Sequence, residues 1–130
     1  MRLLLDTHYV IWFANNTAMM TQSERLAISD ASSVHVSAVS LWEIRIKWQT
    51  RDRHGRRKGT LDPAAALSFI RANSFQLVPL LGEDSIFALS PPIDHRDPFD
   101  EMLLVHAGRI GGRLLTRDEK LRDHPLALSV

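Results

Sequence analysis

Four carboxylates stand where short apolar runs stop or are interrupted. Asp6 follows Leu3-Leu4-Leu5, Glu43 interrupts Val39-Ser40-Leu41-Trp42-Glu43-Ile44, Asp100 closes Asp97-Pro98-Phe99-Asp100, and Asp118 follows Leu114-Leu115-Thr116-Arg117. If they meet in space, they cannot all stay ionised unless a cation neutralises them or some take up protons. The chain has no cysteine, so an oxygen-rich site would suit Mg²⁺ or Mn²⁺. Mg²⁺ on a few carboxylates keeps several waters and exchanges them for phosphate oxygens. It can lower the pKa of a bound water and stabilise charge on phosphorus and the leaving oxygen, which is the chemistry of phosphodiester cleavage. Thr7, Ser40 and Thr116, each close in sequence to one of the acids, could orient that water or make outer-shell hydrogen bonds.

Each acid also has a plainer reading. Asp6 could cap a helix starting at Thr7, and Asp118 a short helix over residues 119–122. Glu43 could reach solvent from the edge of its apolar stripe. Asp97, before Pro98, reads first as a helix N-cap. Asp100, three residues on and in the first turn, is favoured there by the helix dipole and shares the face of Asp97. The hydroxyls of Thr7, Ser40 and Thr116 could equally be caps.

The elements that must position these residues can be read from periodicity and punctuation. Residues 3–5 form a continuous apolar run, as in a strand buried on both faces, and ligands of open α/β sheets sit at the carboxyl ends of strands. A mostly buried helix is expected over 7–14, and a second, capped by Thr21 or Ser23, to about residue 31 with Leu26 and Ile28 inward. A short strand at 34–36 leads through Ser37, a cap, into a helix over 38–48. There Val39, Trp42 and Ile46, with Leu41, Ile44 and Trp48, make a wide apolar stripe hemming in Glu43, which then needs a partner. Residues 49–60 read as a loop or frayed helix end. Asp62-Pro63 starts a helix to about residue 72, residues 75–80 form an edge or terminating strand at Pro79, and 83–89 a short helix. Asp97-Pro98 starts a nearly all-apolar, central helix stopped by Gly111-Gly112, and residues 113–116 form a second Leu-rich strand. Residues 125–130 could add an edge strand. This β-α-α repetition predicts an α/β fold with a parallel sheet between helical layers, and opens the four acids on one edge.

A chain of 130 residues, 45% hydrophobic and 24% charged, is expected to form one domain spanning residues 1–130. No apolar run approaches the roughly 18 to 20 residues that span a bilayer, and the start is too short and too soon acidic for a signal peptide, so a soluble, cytoplasmic protein is expected. The net charge of +1 hides a polarised distribution. Residues 45–58 carry seven bases and one acid, and residues 83–101 six acids and one base. The first segment could attract polyanions and the second could hold cations, although a charge run is commonly just a solvated face. The six histidines show no zinc spacing such as H-E-x-x-H. His8 and His95 lie near the acids and could touch phosphate, or be solvated or capping. Trp12, Trp42 and Trp48 read as core or partner-groove residues, and no glycine-rich phosphate loop is present.

Taken together, Leu3-Leu4-Leu5-Asp6-Thr7, Val36-Ser37-Ala38-Val39-Ser40-Leu41-Trp42-Glu43-Ile44, His95-Arg96-Asp97-Pro98-Phe99-Asp100 and Leu114-Leu115-Thr116-Arg117-Asp118 resemble, in order and at family length, the four motifs of PIN-domain ribonucleases. They are most similar to the VapC-like toxins of type II toxin-antitoxin systems. The resemblance implies a three-layer α/β/α sandwich around a short, mostly parallel sheet of four or five strands. It implies a Mg²⁺-dependent (or Mn²⁺-dependent) endoribonuclease cutting structured RNA such as transfer or ribosomal RNA. It also implies a homodimer that forms a hetero-oligomer with a VapB-like antitoxin, whose tail enters the active-site groove. By motif position Asp6, Glu43, Asp100 and Asp118 carry over as the acidic, metal-holding quartet, with Asp97 as a neighbour.

Two features depart from the family pattern. Glu101 stands where the family usually has Arg, adding negative charge beside the site. The basic residues 51–58 replace a short Gly-Lys-Leu turn and are expected to grip RNA or the antitoxin. Two other classes remain as alternatives: a catalytically inactive module of the same fold that only binds RNA or antitoxin, and a receiver-like phosphoacceptor. The latter would want paired acids near the first strand and a lysine after the last, and neither is visible.

Overall fold

A computed structural model describes residues 1–94 and 97–130. His95 and Arg96, and with them the expectation that His95 approaches phosphate, lie outside the described residues. Strand β1 (Arg2–Leu5) is followed by α1 (Thr7–Asn15), a 3-10 turn (Thr17–Met19), α2 (Gln22–Asp30), β2 (Ser33–Ser37), α3 (Ala38–Gln49), α4 (Pro63–Ala72), β3 (Gln76–Val78), α5 (Gly82–Ser85), α6 (Pro98–Arg109), β4 (Arg113–Leu115) and β5 (Ala127–Leu128). The strands form one sheet in the order β3-β2-β1-β4-β5, with every neighbouring pair parallel. The expected repetition therefore holds, and the tail does add the edge strand.

Alternation along the strands sorts the core into two layers. Leu3, Leu5, Val36 and Leu115 face a cluster with Tyr9 and Val10 of α1, Ile28 of α2, Ile44 of α3 and Ala66 and Ile70 of α4. Leu4 and Leu114 face the opposite cluster, with Leu103, Leu104 and Ala107 of α6. β1 is thus sandwiched, which is why its apolar run is unbroken.

Helix starts follow their caps. Thr21 and Glu24 form a reciprocal capping box on α2, Asp62 accepts from the Ala64 N–H at 2.8 Å with Pro63 beginning α4, and Asp97 accepts from the N–H groups of Phe99 (2.9 Å) and Asp100 (3.3 Å). α6 stops at Gly111, whose φ of 68° suits glycine. At Gly112 a Cβ would collide with the Arg2 carbonyl, so the turn into β4 can pass close to β1 only without a side chain.

Four expectations need correction. Residues 119–122 form turns and no helix, and the helix expected over 83–89 is only the single turn Gly82–Ser85. Of the two readings for residues 49–60 the loop is the one formed: Arg51 and Arg57 make an antiparallel bridge, closed by Asp52, which accepts from the His54 and Arg56 N–H groups. The stripe of α3 is also less buried than its spacing suggests. Val39 and Ile44 are buried, but Trp42 is 49% exposed and Ile46 37%, because the neighbours of α3, chiefly α4, α6 and α1, leave that flank of the helix open. Leu26 is likewise exposed. No helix among the described residues is long and apolar enough to cross a membrane.

Candidate active site

Asp6 leaves β1 with its N–H donating to the Leu115 carbonyl at 3.1 Å, so it is locked to the carboxyl edge of the sheet. It is both a cap and a site residue: one oxygen accepts from the His8 N–H at 3.4 Å at the start of α1, while the other accepts from the Thr116 hydroxyl at 2.7 Å. The Thr116 oxygen in turn accepts from the Asp118 N–H at 3.0 Å. One buried hydroxyl therefore spans the ends of β1 and β4 and brings the two acids together. Asp6 and Asp118 line one cavity of about 270 Å³ with His8, Tyr9, Trp12 and Arg117.

Burial pushes the Asp6 carboxyl up, but bonds from His8 and Thr116 and the nearby imidazole outweigh it, so it stays below the usual carboxylate range. The same pairing, opposed by burial, holds the His8 imidazole, 3.6 Å from Asp6, above its ordinary value.

Glu43 is not on the cavity wall. It projects from α3 toward Lys47, at 3.7 Å, and lies within electrostatic reach of His8. The partner demanded by its half-buried position is in this structure a lysine one turn on. Thr7 and Ser40 tie α1 to α3 through a buried 2.9 Å hydroxyl pair, so both expected hydroxyls hold the helices carrying Asp6 and Glu43. Asp100 lies in the first turn of α6, under the Asp97 cap. The ring of its neighbour Phe99 meets that of Trp42, the neighbour of Glu43, edge-on at 5.3 Å. That contact brings the helices bearing Glu43 and Asp100 together. Among the described residues, no three acids or histidines stand close enough to hold a metal ion as a group. Among the described residues, Asp6 and Asp118 of the quartet share one cavity wall.

Two polar clusters have no counterpart in the sequence motifs. Arg117, which in sequence is only the residue before Asp118, donates Nε and Nη2 to the two oxygens of Glu24 at 2.5 and 2.7 Å. Its guanidinium carbon lies 4.5 Å from the Trp12 ring centre. The Tyr9 hydroxyl also donates to Glu24, at 3.0 Å. Glu24 is held below its ordinary value chiefly by Arg117, against burial. The capping box on Glu24 was the available signal, but its second partner lies 93 residues away.

The other cluster lies under α6. Fully buried His106 is bonded to Ser37 at 2.9 Å and to Asp84 at 3.0 Å, and Arg109 donates to Asp84 at 2.9 Å. Burial keeps His106 below its ordinary value and therefore neutral. The Asp84 carboxylate can only accept, so in the neutral imidazole Nε2–H points to it and Nδ1 accepts from the Ser37 hydroxyl, whose oxygen accepts from the Val39 N–H. The order Ser-His-Asp is that of a nucleophilic triad, yet Ser37 is inaccessible and caps α3, so the cluster is a brace.

A PIN domain family model matches residues 3–125. Among solved structures, the chain is similar to one in the VapBC2 complex of Rickettsia felis bound to a DNA fragment from its promoter, with TM-score 0.61 and 11% identity over 100% of this chain and 98% of that one. It is also similar to one in the DNA-bound VapBC complex of Salmonella typhimurium, with TM-score 0.62 and 17% identity over 100% and 97%. No curated protein matches the chain in sequence. At these identities the structural likeness speaks for the fold alone. The family match spans nearly every residue and both acid-bearing strand ends, and on that match the chain belongs to the PIN domain family.

Proposed function

We propose that the protein is a divalent-metal-dependent endoribonuclease of the VapC kind, acting on structured RNA and silenced by a VapB-like antitoxin. The carrying observation is the pair Asp6 and Asp118, joined through Thr116 on one cavity wall at the carboxyl edge of the sheet. PIN domains are in general nucleases, and both similar structures are VapBC complexes.

The donor set supports Mg²⁺ or Mn²⁺. Its candidates are all carboxylate oxygens, and a wall bearing two of them suits an ion that retains most of its waters, whereas a full protein cage would need more ligands. Asp6 and Asp118 would hold the ion, with Glu43 and Asp100 supplying further negative charge from α3 and α6. When bound, the ion would neutralise a phosphate and make water more acidic. Thr116 ties the Asp6 carboxylate to the Asp118 backbone, the Lys120 N–H holds the Asp118 carboxylate at 2.9 Å, and the Thr116 hydroxyl helps to keep Asp6 ionised. Ser40 and Thr7 fix the angle between α1 and α3. Asp97 orders the first turn that presents Asp100.

The Glu43–Lys47 contact and the lack of a three-ligand group among the described residues favour one other reading, an inactive module that binds RNA or antitoxin only. Incubating purified protein with total RNA and Mg²⁺, Mn²⁺ or EDTA separates the two. Cleavage that requires the metal and falls about 100- to 1,000-fold in Asp6→Asn or Asp118→Asn, the range for losing one electrostatic stabiliser, is expected. RNA retained without cutting under all conditions would replace the nuclease by the module.

A further inference from the structure

The cavity lined by Asp6 and Asp118 has further walls of different chemistry. These are the His8 imidazole, the Trp12 indole, Tyr9 and the Arg117 guanidinium. His8 and Trp12 follow each other one turn apart on α1, with ring centres 5.7 Å apart and planes 34° from parallel. The His8 side chain is 60% exposed, so the cavity opens to solvent beside it. We propose that this is a base-stacking subsite, taking one unstacked nucleobase of single-stranded or looped RNA next to the phosphate held by the acids. The inference rests on the nuclease reading for its substrate class and adds where a base is bound and by which residues.

Three observations carry it. Arg117 is positioned as a plane more than as a free charge. Glu24 takes two of its nitrogens, the Met19 carbonyl accepts from Nη2 at 2.7 Å, and Trp12 covers it at 4.5 Å. A guanidinium already matched by a buried carboxylate is a weak phosphate ligand; stacked on Trp12, it holds that ring in place, and RNA bases splayed from their stacks are commonly received on aromatic rings. The cavity of about 270 Å³ lies just below the roughly 300–1,000 Å³ of sites for drug-sized ligands, which suits a single base with a few waters. Finally, the acids and the aromatic residues share one cavity, so a base bound there lies beside the phosphate chemistry. An arginine side chain from a partner peptide is the competing occupant, and the Arg117 charge disfavours it there.

The test uses the full chain carrying Trp42→Phe and Trp48→Phe, which leaves Trp12 as the reporter. Its fluorescence is titrated in EDTA, where no cleavage is expected, with three 12-residue strands at one salt concentration: oligo-U, oligo-A and an abasic ribose-phosphate strand. Repulsion of phosphate by the acids is common to all three and cancels. The expected result is quenching by the two base-bearing strands and binding about 5- to 150-fold tighter than the abasic strand, the range for one stacked base. Trp12→Leu, followed by labelled-strand binding with circular dichroism as the folding check, should abolish that difference, and Trp12→Phe should keep most of it. Equal binding of all three strands would overturn the subsite, as would quenching by an arginine-containing peptide but by none of the strands. Because the readout is binding, base-dependent quenching in a protein that cuts no RNA would remove the nuclease reading and leave the subsite. Metal-dependent cutting with no base dependence would do the reverse.

Discussion

Thr116 carries more of the site than its size suggests. Its single hydroxyl donates to Asp6 and accepts from the Asp118 backbone, in a position with no solvent access. Thr116→Val keeps the shape but removes both bonds. We expect a loss of about 1–3 kcal/mol in unfolding free energy, the cost of stranding buried polar groups, together with a rise in the Asp6 pKa, since one of the bonds that offset burial is gone. Chemical denaturation and carboxyl ¹³C titration read the two effects separately. Asp97 is the contrasting case. Its carboxylate is engaged by the Phe99 and Asp100 N–H groups, so Asp97→Ala should cost about 1 kcal/mol as a lost cap, whereas Asp97→Asn, which still offers a cap oxygen, should cost less than half of that. A fall in activity of Asp97→Asn as steep as that of Asp6→Asn would show that Asp97 itself holds the ion.

Between elements, the brace under α6 sets how the acid-bearing helices meet. Ser37 ends β2 and caps α3, His106 and Arg109 belong to α6, and Asp84 ties both to α5. His106 has a folded-state pKa below its ordinary value because burial disfavours the imidazolium. The unfolded chain therefore binds more protons than the folded one just below the ordinary value of 6.5, and stability rises with pH there. Asp84 also lies below its ordinary value: burial raises it, but the Leu81 N–H and Arg109 outweigh that, helped by His106. It contributes stability above about pH 4 that is lost as pH falls further. Acid should thus weaken the fold in two stages, the first beginning below pH 6.5. His106→Gln should shrink that first stage, leaving a flatter profile between pH 5 and 7 in urea midpoints measured across that range. What remains is set by His35, also held below its ordinary value by burial, and by His8, which is raised and so opposite in sign. An unchanged profile would locate the acid sensitivity elsewhere.

At the scale of the whole molecule, the charges of residues 45–58 follow α3 rather than the sheet edge. About 9 Å of helix separates Glu43 from Gln49 at the usual rise per residue, so the basic hairpin stands beyond the acids along the same helix. Not all of its charge is available. Arg57 covers Trp48 at 4.4 Å and donates to its carbonyl, and Arg51 donates to the Gly55 carbonyl. Arg53, Arg56 and Lys58 remain the exposed candidates for phosphate. Replacing these three by Ala should weaken RNA binding similarly for all sequences. The salt slope should fall by roughly 0.7 for each phosphate of a single strand that is no longer neutralised. An identical slope would make the hairpin a solvated face.

Local order was legible without coordinates where one residue type has one local use. Asp-Pro starts, the Gly111-Gly112 stop and the apolar runs of β1 and β4 all specify backbone geometry within a few residues, and the helix and strand order follows from them. The spacing on α3 was less informative, because periodicity says which residues share a face but not how far neighbouring elements cover it, and Trp42 stayed half exposed. The motifs also named Asp6 and Asp118 as candidates. Only the tertiary structure put a single hydroxyl between them, turned Glu43 toward Lys47, and joined Glu24 to Arg117 and Ser37 to His106. Except for Glu43 and Lys47, one turn apart on α3, those pairings link residues tens of positions apart, and their geometry depends on how parallel strands and their crossover helices stack. Chain-local propensity carries no term for that stacking, whereas burial makes each buried polar group find a partner once the layers close.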